Sequence, residues 1–331
     1  FREDEEENYV VFVDGSYPGD TVKAKLTAIK KNYAEAKVVE VLAPAPERIK
    51  AECSYFENCG GCKQQDLNYE TQLKYKQMQV KDVFQKIGSV ANPVIENIKP
   101  SENVFFYRNK MEFSFTTKRW LTPDEIGSGE KFNQNFALGL HVPGLYDKVI
   151  NIEKCHLQSE LSNNILNFTR KFFLESGKDA YDTKTHSGFL RNLVIRQSQH
   201  HPEVMVNLVT FYEDDDLVRA FSKEIVKKFK QVTTVINNIN LKKAAVAVGD
   251  FEKIFIGDGI IHDKIGGYKF RISSNSFFQT NTKQAEVLYQ TAVDFAQFHG
   301  KEVVYDLYSG AGTISIFISK LVKEVVGFET V

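Results

Sequence analysis

The chain has no long apolar run, almost no net charge and few cysteines, and each of these features excludes a class of protein. No stretch approaches the roughly 18 consecutive apolar residues that read as a membrane-spanning helix, so we expect no membrane contact. Lysine plus arginine number 42 and aspartate plus glutamate 43, which gives a net charge of −1. Any nucleic-acid site must therefore be a local basic patch and not a property of the whole surface.

No secretory signal pattern follows Phe1, and no initiator methionine precedes it. We therefore expect a cytoplasmic protein whose natural N-terminus lies before Phe1. The chain contains only four cysteines. Without secretion, a disulfide framework is not expected for them.

Pattern and composition predict a multidomain chain of three parts. Residues 1–46 hold short strand patterns and tight turns, which predict a small N-terminal β-barrel of the OB type. Residues 47–265 alternate strand and helix patterns and predict an α+β central domain that carries the cysteines. Residues 266–331 predict the start of an α/β Rossmann-like domain.

Three of the four cysteines are clustered, and the fourth is distant. Cys53, Cys59 and Cys62 fall within ten residues, and Cys155 is the only thiol left to complete a set of four. Four thiolates suit either an iron–sulfur cluster or structural zinc. Three close ligands and one distant ligand favour a [4Fe–4S] cluster, with zinc as the alternative. Free buried thiols are a third interpretation.

The last 30 residues follow the order strand, glycine turn, helix, strand. An apolar run at Val303–Tyr305 leads into Asp306 and the glycines Gly310 and Gly312, and Glu329 ends the second strand pattern. A carboxylate at that point can accept hydrogen bonds from two ribose hydroxyls. The full phosphate-cradling G-x-G-x-x-G is not present, which favours S-adenosylmethionine because that ligand carries no phosphate. An ordinary crossover without a ligand is the alternative.

These segments together resemble one family over essentially the whole chain. The chain resembles the 23S ribosomal RNA (uracil-5-)-methyltransferases of the RumA type, within the TrmA-like RNA uridine methyltransferases. Residues 1–46 resemble a TRAM domain, an RNA-binding β-barrel. The cysteine segment resembles the family's iron–sulfur motif, with Cys155 as the distal ligand. Phe106–Phe115 and Arg191–Arg196 resemble signature segments of the central domain.

The resemblance also implies which residues contact S-adenosylmethionine. Gln279, in the segment Asn275–Asn281, falls at a position that contacts the methyl donor, and Tyr308, Thr313 and Glu329 fall at further contact positions. Thr313 stands where some members have asparagine. The complete set of candidate cofactor-binding residues is Gln279, Asp306, Tyr308, Gly310, Gly312, Thr313 and Glu329.

The activity implied is S-adenosylmethionine-dependent methylation of a uridine C5 in 23S ribosomal RNA, through a covalent adduct between a cysteine and C6. The family's catalytic cysteine and its partner glutamate lie beyond the glycine turn. We therefore expect a C-terminally truncated chain that is inactive alone, with its nucleophile and general base after Val331. The alternatives are a transfer-RNA uridine C5-methyltransferase of the same family and an RNA-binding fragment without activity.

We expect a monomer that binds ribosomal RNA at a loop or single-stranded uridine. Basic and aromatic residues before residue 120 are candidate RNA contacts, because they can pair with phosphates and stack on bases. The candidates are Lys23, Lys25, Lys30, Lys31, Tyr33, Arg108, Lys110, Lys118, Arg119 and Trp120.

Overall fold

The computed structural model describes residues 9–243, 247 and 249–330. The chain forms two compact units, one of residues 1–52 with 64–98 and the other of residues 53–63 with 99–331. The predicted division at 46/47 and 265/266 differs from this grouping. The loop that carries the first three cysteines belongs to the second unit, whereas residues 64–98 belong to the first. The first eight residues of the predicted barrel lie outside the described residues.

The first unit contains a three-stranded sheet with β3 in the centre. Its strands are β1 (Val10–Asp14), β2 (Thr21–Ile29) and β3 (Tyr33–Ala43). β1 runs parallel to β3 and β2 runs antiparallel to it. These three strands carry the alternating pattern predicted for the N-terminal β-barrel, and closure of the sheet into a barrel stays a prediction.

A half-buried ion pair ties this sheet to the chain that follows it. Arg48 donates to Asp20 (Nη2–Oδ2 2.7 Å) and to Asp66, and its guanidinium lies 4.5 Å from the ring centre of Tyr17. The hydrogen bond from Arg48 lowers the pKa of the Asp20 carboxyl from 3.8 to about 2. Asp20 also accepts from the backbone N–H of Ala45 at 2.8 Å, so one carboxylate holds two separate turns.

One helix completes the first unit. Helix α1 (Tyr69–Asp82) begins where Asn68 Oδ1 accepts from the Thr71 backbone N–H at 2.8 Å, and it continues into a π-helical turn at Val83–Ile87. No residue of the helix or the turn is buried. Its apolar side chains therefore stay largely solvent-exposed in this unit.

The second unit is built on a mixed sheet of eight strands. The strands are β4 (Lys110–Thr116), β5 (Arg119–Trp120), β6 (Ala137–Val142), β7 (Leu145–Asn151), β8 (Leu190–Gln197), β9 (Val204–Thr210), β10 (Val232–Ile239) and β11 (Phe251–Ile256). Their order across the sheet is β11-β10-β9-β8-β4-β6-β7-β5. The connecting helices are α2 (Pro123–Gly127), α3 (Glu160–Ser176) and α4 (Asp215–Lys228).

Helices α3 and α4 pack on this sheet through phenylalanine side chains. Phe173 of α3 and Phe221 of α4 are fully buried, and their ring centres lie 5.0 Å apart. Phe113 of β4 is fully buried in the same cluster. Burial of such rings contributes most of the favourable free energy of a core, and this cluster therefore fixes the helices on the sheet.

A hairpin and a helix form a second apolar cluster in this unit. The elements are β12 (Ile260–Ile265), β13 (Tyr268–Ser273) and α5 (Thr282–Ala296), and they pack against Met205 and Ile236 of the large sheet. The two strands pair antiparallel from Ile260↔Ser273 to Ile265↔Tyr268. The predicted boundary at 265/266 therefore falls inside the turn of a hairpin.

The C-terminal elements follow the predicted order of strand, turn, helix, strand. They are β14 (Val303–Leu307), α6 (Thr313–Ile318) and β15 (Glu324–Phe328). β14 and β15 pair in parallel, from Val303↔Glu324 to Leu307↔Phe328, as a βαβ crossover requires. Over the described ranges, no helix has both the length and the apolarity to span a bilayer.

The Asp20 ion pair predicts a pH-dependent stability. Because the folded-state pKa of Asp20 is about 2 against an ordinary 3.8, the ionised carboxylate stabilises the fold fully above pH 3.8 and loses this effect as the pH falls through 2. We expect Asp20→Asn to lower the free energy of unfolding by about 2 kcal/mol at pH 7, and we expect the difference from wild type to shrink towards low pH. Urea titrations at a series of pH values measure this difference in the free energy of unfolding.

The exposed carboxylate of Asp14 supplies the control, since Asp14→Asn removes the same charge from the same unit. An Asp20→Asn effect that is equal at all pH values would show that ionisation of Asp20 does not stabilise the fold.

Candidate functional site

The glycine turn between β14 and α6 brings bare backbone to the end of a strand. Gly310 and Gly312 have φ values of +54° and +68°, a left-handed conformation that glycine adopts without strain. Ser309 donates its backbone N–H to the carbonyl of Phe328 at 2.9 Å, which closes the turn onto β15. The turn therefore presents accessible backbone beside the carboxyl end of β14, where α/β folds bind ligands.

Asp306 orients this turn from within. Its Oδ2 accepts from the Ser315 backbone N–H at 3.2 Å and from the Ser315 hydroxyl at 2.6 Å. The carboxylate thus holds the first turn of α6 against the end of β14. For Asp306, which the sequence predicts as a cofactor-binding residue, this geometry favours a role in orienting the loop.

Glu329 and Tyr308 lie on either side of the turn. Glu329 Oε2 accepts from the Gly310 backbone N–H at 2.7 Å, which brings the carboxylate at the end of β15 to the glycines at the end of β14. Tyr308 has a φ of +63° and is 91% exposed. An aromatic residue in this strained conformation marks a candidate ligand contact.

Thr313 and Gln279 are fixed by polar contacts of their own. The Thr313 hydroxyl lies 2.9 Å from the hydroxyl of Tyr289, a buried residue of α5. The backbone carbonyl of Gln279 accepts from Asn109 Nδ2 at 2.8 Å. Gln279 itself is half-buried.

A pocket joins the glycine turn to the segment before Gln279. Its volume is about 270 Å³, and Ala311 of the turn lines it together with Phe277 and Phe278. The remaining lining residues are Lys269, Phe270, Arg271, Ile272, Ser276 and Ile316. The structure therefore brings the glycine turn and the segment before Gln279 to one cavity. The cavity is mostly apolar and has two basic residues in its wall, a composition common in small-molecule sites.

The cysteine loop packs on the large sheet. Gly60 donates its backbone N–H to the carbonyl of His141 in β6 at 2.9 Å, and a side chain at Gly60 would lie 2.9 Å from that same oxygen. Cys155 is held by the buried Asn163 of α3, whose Oδ1 accepts from the Cys155 N–H at 2.8 Å and whose Nδ2 donates to the Cys155 carbonyl at 3.1 Å. Cys59 and Cys62 pack against the cluster that contains Cys155.

The four thiols influence one another electrostatically. Burial, and then the neighbouring thiols of Cys155, Cys53 and Cys62, raise the pKa of Cys59 to about 11. Burial likewise raises the pKa of Cys53 and of Cys155. Nevertheless, in the part of the chain that the structure describes, no three cysteine, histidine, aspartate or glutamate residues are arranged to hold a metal ion. The thiols are thus neighbours, but they do not form a closed site for a single ion.

Several candidate RNA contacts have partners within the chain. Lys118 pairs with Asp147 at 3.1 Å, Arg119 pairs with Glu125, and Trp120 packs against the core. These contacts give the three residues a structural role. The candidates on β2 and its following turn, Lys23, Lys25, Lys30 and Lys31, are exposed.

One site residue was missed by the sequence analysis. Asn109 is buried, and besides Gln279 it contacts the hydroxyl of Thr282 at 2.8 Å. Its position inside the segment Phe106–Phe115, which resembles a family signature, was the only available signal.

Comparison with known proteins places this fold in a class. The TRAM domain family matches residues 4–39. The chain is 40% identical to an uncharacterized RNA methyltransferase of Chlorobaculum tepidum, over 95% of this chain and 65% of the relative. It is 39% identical to an uncharacterized RNA methyltransferase of Bacteroides thetaiotaomicron, over 97% of this chain and 71% of that relative.

The chain belongs to the RNA methyltransferase family. It also resembles a crystal structure, that of Pyrococcus abyssi tRNA (uracil-54, C5)-methyltransferase in complex with S-adenosyl-L-homocysteine, with a TM-score of 0.70 and 25% identity over 96% of this chain and 68% of that one. The chain spans about two thirds of the length of these proteins. The truncation and inactivity expected from the sequence are not established by these figures and stay predictions.

The Asp306–Ser315 contact predicts how the glycine turn responds to mutation. Asp306→Asn replaces a charged acceptor by a neutral one and weakens the contact with Ser315, so we expect amide hydrogen exchange at residues 309–316 to accelerate by about tenfold. Asp294→Asn, at an exposed carboxylate of α5, is the control. Unchanged exchange in Asp306→Asn would show that the turn does not depend on this contact.

Proposed function

We propose that this chain takes part in S-adenosylmethionine-dependent methylation of uridine at C5 in RNA. The observation that carries the proposal is the contact of Glu329 with Gly310, beside a pocket shared by the glycine turn and the segment before Gln279. The family supports RNA methylation as the activity. The likeness to a uracil-C5 methyltransferase that holds S-adenosyl-L-homocysteine supports both the donor and the base.

Each donor contact follows from the chemistry of its side chain. In this proposal Glu329 accepts from the ribose hydroxyls, and the glycines Gly310 and Gly312 let the methyl donor approach the backbone. Tyr308 offers an exposed ring for contact with the adenosine, and Gln279 offers an amide at the far side of the pocket. Thr313 acts from the start of α6, whereas Asp306 holds the turn in place.

The reaction requires that a poor nucleophile, uracil C5, attack a methyl group. In the proposed path a thiolate forms a bond to C6, and the electron pair of the C5–C6 double bond moves into an enolate. C5 then attacks the methyl group, the bond between the methyl group and the sulfur of S-adenosylmethionine breaks, and S-adenosyl-L-homocysteine is released. A base removes the C5 proton, the C–S bond at C6 breaks, and the thiolate leaves. The uridine must leave its stack to reach the pocket.

We assign the nucleophile to none of the four cysteines of this chain. Cys155 is buried, and the other three cysteines are half-buried. Burial raises the pKa of Cys53 and of Cys155, and it raises the pKa of Cys59 to about 11. A high pKa disfavours the thiolate that the reaction needs. The part of the reaction carried by the described residues is therefore donor binding.

We propose 23S ribosomal RNA as the substrate, on the strength of the resemblance to the RumA type. Transfer RNA is the second candidate, because the structural relative is a tRNA (uracil-54, C5)-methyltransferase. In either case the exposed lysines Lys23, Lys25, Lys30 and Lys31 of the TRAM region supply positive charge for phosphate contact.

We also propose a [4Fe–4S] cluster on Cys53, Cys59, Cys62 and Cys155. The donor set fits, since the four thiols are close enough to influence one another's ionisation. Tetrahedral zinc has Zn–S bonds of about 2.3 Å and so holds its sulfur atoms about 3.8 Å apart. The three close cysteines and the distant Cys155 favour the cluster over zinc, and zinc is the alternative. Bound there, a cluster would fix the cysteine loop to Cys155.

The proposed activity is tested by methyl transfer from labelled S-adenosylmethionine, using the protein as the cell makes it. We expect label in 5-methyluridine of 23S ribosomal RNA and about a tenfold lower rate on transfer RNA. The reverse preference would favour the second substrate. RNA binding without any label transfer would leave an RNA-binding protein and overturn the enzyme proposal.

Glu329 gives the matching test of donor binding. Glu329→Gln removes the charged acceptor for the ribose hydroxyls, so we expect about a 10- to 100-fold weaker affinity for S-adenosyl-L-homocysteine in calorimetry. Glu324→Gln, at an exposed residue at the start of β15, is the control. Equal affinities of wild type and Glu329→Gln would remove Glu329 from the donor site.

The cluster is tested by metal content. Anaerobically purified protein should be brown and contain about four iron ions per chain, and Cys155→Ser should lose most of that iron. Ser54→Ala, in the same loop but at an exposed non-ligand position, should keep it. Colourless protein with one zinc ion per chain would overturn the cluster.

A further inference from the structure

The segment of residues 274–282 runs from β13 to α5 and carries Gln279, yet it forms no helix or strand before α5. Phe278 is buried, whereas Phe277 is 71% exposed. A segment without regular backbone pairing needs other partners for its carbonyl groups if it is to hold one conformation. The central sheet provides those partners.

Arg196 holds the first part of the segment. This β8 residue is 5% exposed, and its Nη2 donates to the carbonyl of Ser274 at 3.0 Å and to that of Ser276 at 2.6 Å. Among its described neighbours no carboxylate forms a salt bridge with it, although Glu112 acts on it from a distance. Burial lowers the pKa of the guanidinium to about 10, so it stays charged at neutral pH. The charged guanidinium of Arg196 is therefore stabilised by the hydrogen bonds that it donates to two backbone carbonyls.

Asn109 holds the second part. Its Nδ2 donates to the Gln279 carbonyl and to the Thr282 hydroxyl, both at 2.8 Å, and its backbone N–H donates to the Thr280 carbonyl at 2.8 Å. The Thr282 hydroxyl in turn donates to Asp263 at 3.1 Å. Asp263 is 1% exposed. The far end of the segment is thus fixed by a chain of buried hydrogen bonds.

These two anchors are joined through the large sheet. Asn109 immediately precedes β4, and its carbonyl accepts from the backbone N–H of Gln197, the residue after Arg196, at 2.8 Å. Lys110 pairs with Arg196 across β4 and β8. Arg196 and Asn109, which are neighbours in the sheet, therefore hold the segment by hydrogen bonds on both sides of Phe277 and Phe278.

We propose that Arg196 and Asn109 are positioning residues that set the donor affinity by fixing the backbone of residues 274–282. Neither needs to touch the donor, because each acts through carbonyls next to Gln279 and the pocket-lining Ser276 and Phe277. A charged guanidinium that donates hydrogen bonds to two carbonyls restrains their positions strongly and directionally. This inference rests on the proposed donor site.

The test compares Arg196→Met and Arg196→Lys with Arg219→Met, which alters an exposed arginine of α4. We expect Arg196→Met to weaken S-adenosyl-L-homocysteine binding by ~10-fold or more and to raise KM for S-adenosylmethionine while KM for RNA stays unchanged. Arg196→Lys keeps a charged hydrogen-bond donor and should recover part of the affinity for S-adenosyl-L-homocysteine. Asn109→Ala should act in the same direction as Arg196→Met.

Hydrogen exchange of the peptide 274–281 provides a readout that does not depend on the donor. It should accelerate in Arg196→Met and not in Arg219→Met. Faster exchange together with weaker donor binding supports the inference. Unchanged donor affinity in Arg196→Met, with wild type binding normally, overturns the inference and leaves the proposed function intact. A wild type that binds no donor overturns both, even where exchange shows that the anchors hold the segment.

Discussion

The pairing register of β4 with β8 is the constraint on which both candidate sites depend. Lys110 lies opposite Arg196 and Phe113 opposite Leu193 in this antiparallel pair. Because side chains alternate between the faces of a strand, a slip of one residue would send Arg196 into the phenylalanine core and expose Phe113. The correct register is enforced by burial of Phe113, which is 0% exposed.

The two faces of the large sheet therefore serve different sites. The face covered by α3 and α4 holds the aromatic core, and Cys155 is part of that core, with Cys59 and Cys62 packed against it. On the opposite face, Arg196 of β8 donates a hydrogen bond to the segment before Gln279. A single sheet thus supports the cysteine group and the candidate donor pocket, which have no chemistry in common.

The sequence predicted local structure well where an apolar pattern repeats over a whole element. The order strand, glycine turn, helix, strand predicted for the last 30 residues is the order of β14, α6 and β15. The cysteine group was recognisable because cysteine is rare and its metal chemistry is specific. Gln279 was found only through resemblance, since a single glutamine in a loop carries no physical signal.

Long-range polar contacts were beyond prediction for a physical reason. Asn109 and Thr282 are 173 residues apart and meet only after the large sheet and the hairpin have formed. Closure of the N-terminal strands into a barrel is likewise not given by the sequence, because strand patterns reveal alternation but not whether a sheet closes. A buried arginine such as Arg196 reads from sequence as an ordinary surface charge, since arginine is rarely buried.

Methylation at C5 of uridine can be measured by the release of tritium from RNA labelled at that carbon. Replacement of the C5 hydrogen by a methyl group must free one tritium for each methyl group transferred from S-adenosylmethionine. We expect tritium release that depends on S-adenosylmethionine and matches methyl incorporation one for one. Methyl incorporation without tritium release would contradict methylation at C5, because the methyl group would then lie at another atom.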